Sequence, residues 1–495
     1  MQLALSISIS YNIYGKVFIS CEEKNMNARL FFKKFFCLLF AVVSITILLA
    51  ATNVLAAAGA LDPNFGSNGV VKTKHNGMPS SAWEVVLQTD GKIITLGTVK
   101  LSADQTKRVI TRYNSNGSVD TSFGTNGSTL IEIASFSGSK IALQPDGKLI
   151  VAGLSQRGFA AVRYNSNGSL DTSFGANGLA ALNPVNTSSD IYYFVEDVTI
   201  QPDGKIVMAG SYSIGNHIEF EVVRFNSDGT RDVINSLDWG TLGNQYNYGK
   251  AVTIQPDNKI VMSGDMVSCC DSYHYISLAR FDPNVLLDRS TFSSGRGAVT
   301  ARLNYFQHSS GALALQADGK IVVAGSILGM DWKTPQNLAL ARFNSDGTLD
   351  TAFGGTGIVV TDFGAEESTA NLVIQASGKI ILAGTTSSAG ASDFLLVRYN
   401  SDGSLDSSFG TNGKVVTDFG SATDTATGIV QQTDGKVIVI GTSGDNAILA
   451  RYDTGMPTAT TTLTFNSVGA YDGWILESGE NSSKGGTLDK ISNVF

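Results

Sequence analysis

Gln144-Pro145-Asp146-Gly147-Lys148-Leu149-Ile150-Val151-Ala152-Gly153 is one of seven versions of the same stretch in this chain. Its aspartate position falls at Asp90, Asp146, Asp203, Asp257, Asp318, Ser377 and Asp434, so successive copies lie 56, 57, 54, 61, 59 and 57 residues apart. A period of this size marks one supersecondary unit copied in series. Each copy is too small to bury a core of its own, so stability comes from stacking against neighbours.

Three features travel with that stretch. The apolar run after each lysine ends in glycine, at Gly97, Gly153, Gly210, Gly264, Gly325, Gly384 and Gly441. An Arg-aromatic pair follows, at Arg112, Arg163, Arg224, Arg280, Arg342, Arg398 and Arg451. Then comes Asn-Ser-(Asn/Asp)-Gly-x-(Leu/Val)-Asp-x-x-Phe-Gly-x-x-Gly, clearest at residues 165–178, 344–357 and 400–413. The last copy stops at Arg451-Tyr452-Asp453, and an orphan Leu61-Asp62-Pro63-Asn64-Phe65-Gly66 opens the array. The end lacks what the beginning supplies, as a closed ring requires.

Each copy contains four short β-like runs; in the sixth these are residues 358–361, 371–375, 379–383 and 394–399. Asp-Gly between the second and third supplies the positive φ angles of a tight hairpin. Four antiparallel strands per copy, seven copies and complementary ends predict an all-β, seven-bladed β-propeller over residues 59–455. A parallel β-solenoid fits less well, because its coils are shorter and need no hairpin at one fixed place.

On Gln144-Pro145-Asp146-Gly147-Lys148, Leu170-Asp171-Thr172-Ser173-Phe174-Gly175 and their counterparts, the chain resembles the delta-60 repeat family of secreted and surface propellers. The resemblance implies fold and location; that family carries no agreed catalytic residues. The fourth copy departs from the pattern, with Asn258 in place of glycine. Arg231-Asp232-Val233 and Leu287-Asp288-Arg289 also read as lacking the Phe-Gly. Beyond a Thr-rich linker at residues 456–464, residues 465–495 resemble the opening strands of a DNRLRE-type β-sandwich. Thirty residues are too few for a core, so an incomplete second domain is expected.

Within an N-terminal extension of residues 1–58, residues 26–58 read as an export signal. Arg29, Lys33 and Lys34 precede an apolar run from Phe35 to Leu49, and Val54-Leu55-Ala56 offers a small-residue cleavage site. The expectation is a secreted or cell-surface protein with no stable membrane span after cleavage. Without residues 1–58 the charge is 30 − 41 = −11. An acidic chain with no basic cluster is a poor partner for nucleic acid. Only Cys269 and Cys270 remain in the array, so no disulfide framework staples it.

Chemistry is sparse. Anything present in all seven copies is read as fold, so the repeated arginines are expected to cap a loop or pair with the repeated aspartate. The Asn-Ser-Asp-Gly segments miss calcium-loop spacing and read as turns; the expected cofactor is none, with occasional calcium in those turn loops left open. Cys269-Cys270 reads as loop thiols, with a vicinal disulfide as the first alternative and metal ligation, which lacks two further well-spaced ligands, as the second. His75, His217 and His308 are scattered. Acids such as Asp190, Glu196, Asp197, Asp238, Asp331, Glu366 and Glu367 read as solvated loop residues with no pair singled out.

One asymmetry is informative. The Asp-Gly-Lys and Phe-Gly-x-x-Gly turns fall on one face of the ring, and loops of changing length fall on the other. Tyr192, Tyr193, Trp239, Tyr273 and Trp332 lie in those loops and are the candidate ligand-binding residues. The expected function is a non-catalytic binding or scaffold module, for a surface glycan or a protein. The competing reading is a polysaccharide-acting hydrolase or lyase using loop carboxylates or a metal.

Overall fold

An Asp-Gly pair between two apolar runs folds back on itself, and the chain uses this turn in copy after copy. In the computed structural model Gly147 has φ 82°, and the flanking strands Phe136–Leu143 and Leu149–Ser155 pair antiparallel. The structure describes residues 57–155, 158–182, 191–215, 217–237, 245–268, 274–302, 307–328 and 336–455, and the strands Leu5–Tyr11 and Val17–Glu23. Those two strands pair with each other as a separate antiparallel hairpin. The candidate signal segment up to residue 56, the linker and the C-terminal fragment lie outside the described residues.

The sixth copy shows the repeating unit. Glu366–Ile374, Ile380–Ser388, Ala391–Tyr399 and Lys414–Thr417 form one four-stranded antiparallel meander in chain order. Every copy supplies such a meander. The third and fourth meanders are linked into one eight-stranded sheet by a single parallel bridge between Ile218 and Tyr246. The first strands, Ser80–Leu87, Phe136–Leu143, Ile191–Ile200, Gln245–Ile254, Gln307–Leu315, Glu366–Ile374 and Asp424–Gln431, touch in chain order, and the last touches the first. The sheets therefore close on themselves around an axis lined by first strands. Among the described residues the one helical turn is Ser293–Gly295.

Packing lies between sheets rather than within them. Ala324, Leu338 and Leu340 of the fifth unit interdigitate with Leu372, Leu382 and Leu395 of the sixth. Ile93 and Val85 of the first meet Ile438 and Leu449 of the last. Each such side chain, fully buried, stabilises by about 1.5–3 kcal/mol, which no isolated unit could collect.

The structure shifts the phase of the sequence-based unit by one strand. Residues 358–361 do not open the sixth unit; Ile358–Thr361 is the outer strand of the fifth, paired with Asn337–Phe343. A period alone does not say where a unit starts. The shift also locates the joint of the ring. Val70–Thr73 is the outer strand of the last sheet, antiparallel to Asn446–Tyr452, as the orphan segment led us to expect.

The joint runs through a single turn. In the sixth unit the Gly403 amide donates to the Asn400 carbonyl (3.0 Å) and the Asn400 amide to the Ser404 carbonyl (2.8 Å). At the joint the Gly59 amide donates to Asp453 (2.7 Å) and the Asp453 amide to Ala60 (2.8 Å). Asp453 and Thr454 make the first half of the turn, and Ala58 to Asp62 the second. Ala58, assigned by sequence to the segment outside the array, is thus part of the ring. Its carbonyl accepts the Gly410 amide at 2.8 Å, as that of Asp402 accepts the Gly354 amide at 2.9 Å.

Candidate functional site

The repeated arginines are the first residues to place. In the sixth unit Arg398 Nε donates to Asp406 Oδ2 at 2.7 Å, and Lys379 Nζ reaches the same oxygen at 2.6 Å. The guanidinium lies 4.5 Å from the Phe409 ring centroid, and Nη1 donates to the Thr454 carbonyl beyond its own sheet. The same pairing recurs at Arg112–Asp120, Arg163–Asp171, Arg224–Asp232, Arg280–Asp288, Arg342–Asp350 and, across the joint, Arg451–Asp62. Each Nη1 donates to a turn carbonyl next door: Ser166, Ser227, Pro283, Ser345, Ser401 and Ser115. These are clasps between units. Burial alone would raise the Asp406 carboxyl, but hydrogen bonds from Lys379 and Ser408 and the Arg398 charge hold it well below the usual carboxylate range.

One clasp corrects the sequence reading and another bears it out. Leu287-Asp288-Arg289 does not lack its phenylalanine: Phe292 arrives one residue late and stacks 4.6 Å from Arg280. In the third unit Asn235 occupies that place, and its Nδ2 donates to the Val285 carbonyl at 2.7 Å. The calcium-like turns use their oxygens internally. Asp402 Oδ1 accepts both the amide (2.9 Å) and the hydroxyl (2.6 Å) of Ser404.

With clasps and repeated turns on one face, the second-to-third and fourth-to-first connections share the other. Of the five candidate aromatics, Tyr192 and Tyr193 are described; Trp239, Tyr273 and Trp332 lie outside the described residues. Tyr192 opens the first strand of the third unit and is 62% exposed, with Phe194, two residues on and on the same side of the strand, 43% exposed. Tyr193 points the other way. It is half-buried, edge-on to Phe159 at 6.1 Å and tilted against Tyr212 at 6.3 Å. It therefore packs inward and is not part of the exposed rim.

Behind these tyrosines sits a pair of acids that sequence reading passed over. Tyr212 Oη donates to Glu219 at 2.7 Å, and Glu221, two residues on, is buried. Burial, reinforced by the Glu219 charge, pushes the Glu221 carboxyl up to about 7. The available signal was an acid in the middle of an apolar strand, Phe220-Glu221-Val222-Val223.

Along the axis every first strand carries a bulge, which inserts Trp83, Ser139, Glu196, Lys250, Gly311, Ala370 and Thr427 in turn. A bulge re-aims its side chain. In the first four units charges gather there. Lys140 pairs with Glu84 at 2.5 Å and Lys250 with Glu196 at 2.9 Å. Asp197 is pushed by burial to about 6, against the pull of Lys140. Its Oδ2 accepts the Val252 amide of the next strand at 2.8 Å. Glu196 and Asp197 are therefore axial cross-links rather than solvated loop acids, and Glu366 and Glu367 also belong to a first strand. Asp190, Asp238 and Asp331 lie outside the described residues.

Five segments, residues 88–123, 144–174, 201–233, 316–353 and 375–409, match the family described as a domain of unknown function (DUF5122) β-propeller. The fold is a β-propeller. No curated protein matches the chain. Solved structures similar to this propeller include a polysaccharide lyase, Uly1, at 12% identity and TM-score 0.46, covering 75% of this chain and 90% of that one. A catalytically inactive virginiamycin B lyase from Staphylococcus aureus with quinupristin has 10% identity and TM-score 0.42, covering 77% and 98%. Drosophila Semaphorin 1a, extracellular domains 1-2, has 10% identity and TM-score 0.44, covering 76% and 86%. At this level the likeness shows the fold alone and carries no argument about chemistry.

Proposed function

We propose that the chain is an exported, seven-bladed propeller that acts as a binding or scaffold module at the cell surface, taking a glycan or a protein on its loop face. The observation that carries the reading is the exposed pair Tyr192 and Phe194 on one side of a paired strand at the loop-face end of the third blade. Exposed flat aromatic area suits sugar rings and protein partners alike. The opposite face is consumed by clasps. A glycan array and a pull-down with the purified protein test this. Binding should weaken at least tenfold in Tyr192→Ala while the melting temperature stays put. A ligand bound equally well by Tyr192→Ala and Phe194→Ala overturns the assignment.

Export rests on the basic, apolar and small-residue order of residues 26–58. Mass spectrometry of the secreted protein should find a new N-terminus at or just before Ala58, since removal of Ala58 would take a turn carbonyl from the joint. Recovery of Met1 or Met26 on the mature protein counts against export.

Glu221 is the observation that favours the second reading, a polysaccharide-acting enzyme, because a carboxyl partly protonated near neutral pH can serve as a general acid. It is buried beneath the rim, however, and Glu219 is already engaged by Tyr212. Binding is therefore the preferred function. Depolymerisation of a polysaccharide panel that is abolished in Glu221→Gln would reverse that preference.

A further inference from the structure

We propose that the junction of the sixth and seventh blades is a site for a divalent cation of the calcium class, held by Asp393, Asp418 and Asp424. The three come from separate pieces of chain. Asp393 lies in the strand Ala391–Tyr399, Asp418 directly follows the outer strand Lys414–Thr417, and Asp424 opens the axial strand Asp424–Gln431. One carboxylate oxygen of each lies within 4.8 Å of the others. The backbone fixes this convergence: Ser392 bridges to Thr423, and its amide donates to Ala422 at 3.1 Å.

The independent sign of a ligand is Asp424 itself. It is 0% exposed; its Oδ2 accepts the Phe419 amide at 2.6 Å, and its Oδ1 is buried with no hydrogen-bond partner. An ionised oxygen left so is strongly unfavourable unless a cation meets it. Among the described residues no lysine or arginine forms an ion pair with any of the three. Lys72 is the nearby cation, but its Nζ donates to the Phe419 carbonyl at 2.7 Å. Three hard oxygen donors without histidine or cysteine suit calcium rather than zinc or copper.

The preceding junction offers a comparison. Asn337, Asp362 and Glu367 occupy the positions of Asp393, Asp418 and Asp424 there, and Glu367 is also fully buried. Burial raises the Glu367 carboxyl, but the charge of Lys414, whose Nζ lies 4.3 Å from the Phe363 ring centroid, pulls against it. In the seventh blade the strand position of Lys414 is taken by Val70. That position carries no charge in the seventh blade, Lys72 two residues on is turned to the Phe419 carbonyl, and a third carboxylate is added. A bound metal restores the balance.

Calorimetric titration of the EDTA-treated full chain with calcium chloride tests this, with magnesium chloride run beside it. We expect one saturable calcium site with Kd below about 1 mM, weaker magnesium binding, and a melting temperature raised by calcium. Asp418→Asn, at an exposed position that leaves folding intact, should weaken calcium at least tenfold. Asp424→Asn should melt no lower than the wild type in EDTA yet lose the calcium-induced rise. Asp362→Asn should bind as the wild type does. Absence of saturable binding up to about 1 mM, or binding unchanged in Asp418→Asn, overturns the proposal.

Discussion

The clasps and the loop-side acids are two answers to the same problem, a carboxylate near the edge of a tightly packed sheet. In a clasp one aspartate meets two cations, as Asp171 meets Arg163 at 2.8 Å and Lys148 at 2.8 Å. On the loop side carboxylates meet one another: Glu221 beside Glu219, and Asp393 beside Asp418 and Asp424. The first arrangement holds an acid ionised; the second favours its proton or a foreign cation. A region that satisfies its own charges needs nothing from outside. One that leaves them unbalanced is where a ligand, a proton or a metal has something to add.

The two regions should therefore respond to pH with opposite signs, and acid should have the largest effect. The folded-state values of Asp171 and Asp406 lie below the ordinary value of 3.8, because hydrogen bonds and cations outweigh burial. The stability they contribute is present above about pH 3.8 and is lost as the pH falls below it, repeated around the ring. Circular dichroism should show cooperative unfolding in that range. A ring intact at pH 2 would break the comparison. Next comes Arg398→Ala, which strands Asp406; urea unfolding should show a loss of about 3–5 kcal/mol. A loss under about 1 kcal/mol would demote the clasp to a surface ion pair.

Glu221 provides the opposite limb. Its folded value, about 7, lies above the ordinary 4.5, so its contribution is present below pH 4.5 and is lost as the pH rises to about 7. Glu221→Gln should remove a fall of about 2–3 kcal/mol across that interval. A wild-type profile flat from pH 5 to 7 contradicts this. Smallest of all, Tyr192→Ala should change stability by no more than about 0.5 kcal/mol, as an exposed side chain does. A larger loss would mean that the rim is packed rather than presented.

Most of the architecture was legible because the repeat writes it seven times. The Asp-Gly-Lys turn and its variants at Asn258 and Ser377 marked one hairpin in each copy, and Leu61 to Gly66 announced the closure. Phase was not legible, since a periodic signal has no origin; Ile358–Thr361 joined the fifth blade because its partner strand, Asn337–Phe343, precedes it. Phe292 was missed because one inserted residue moves it off the motif while its ring still reaches Arg280. The sites were harder. Glu221 and Asp424 act through what surrounds them after folding, and neighbours from other blades leave no mark at fixed spacing. Tyr192 and Tyr193 read alike in sequence, yet alternation along the strand sends them to opposite sides.

The turn shared by Asp453, Thr454 and Ala58 to Asp62 has a further consequence. Because the two ends complete one ordinary turn, chain order is a convention and the folded object has no privileged beginning. Joining Thr454 directly to Ala58 reproduces the covalent path from Ser401 to Asp402, so a gene reopened between Ser401 and Asp402 encodes the same circle read from another point. What the native opening does fix is where the ring is sealed. The seventh blade stays one strand short until Val70–Thr73 returns from the other end of the chain, so the ring is sealed by a contact spanning almost its full length.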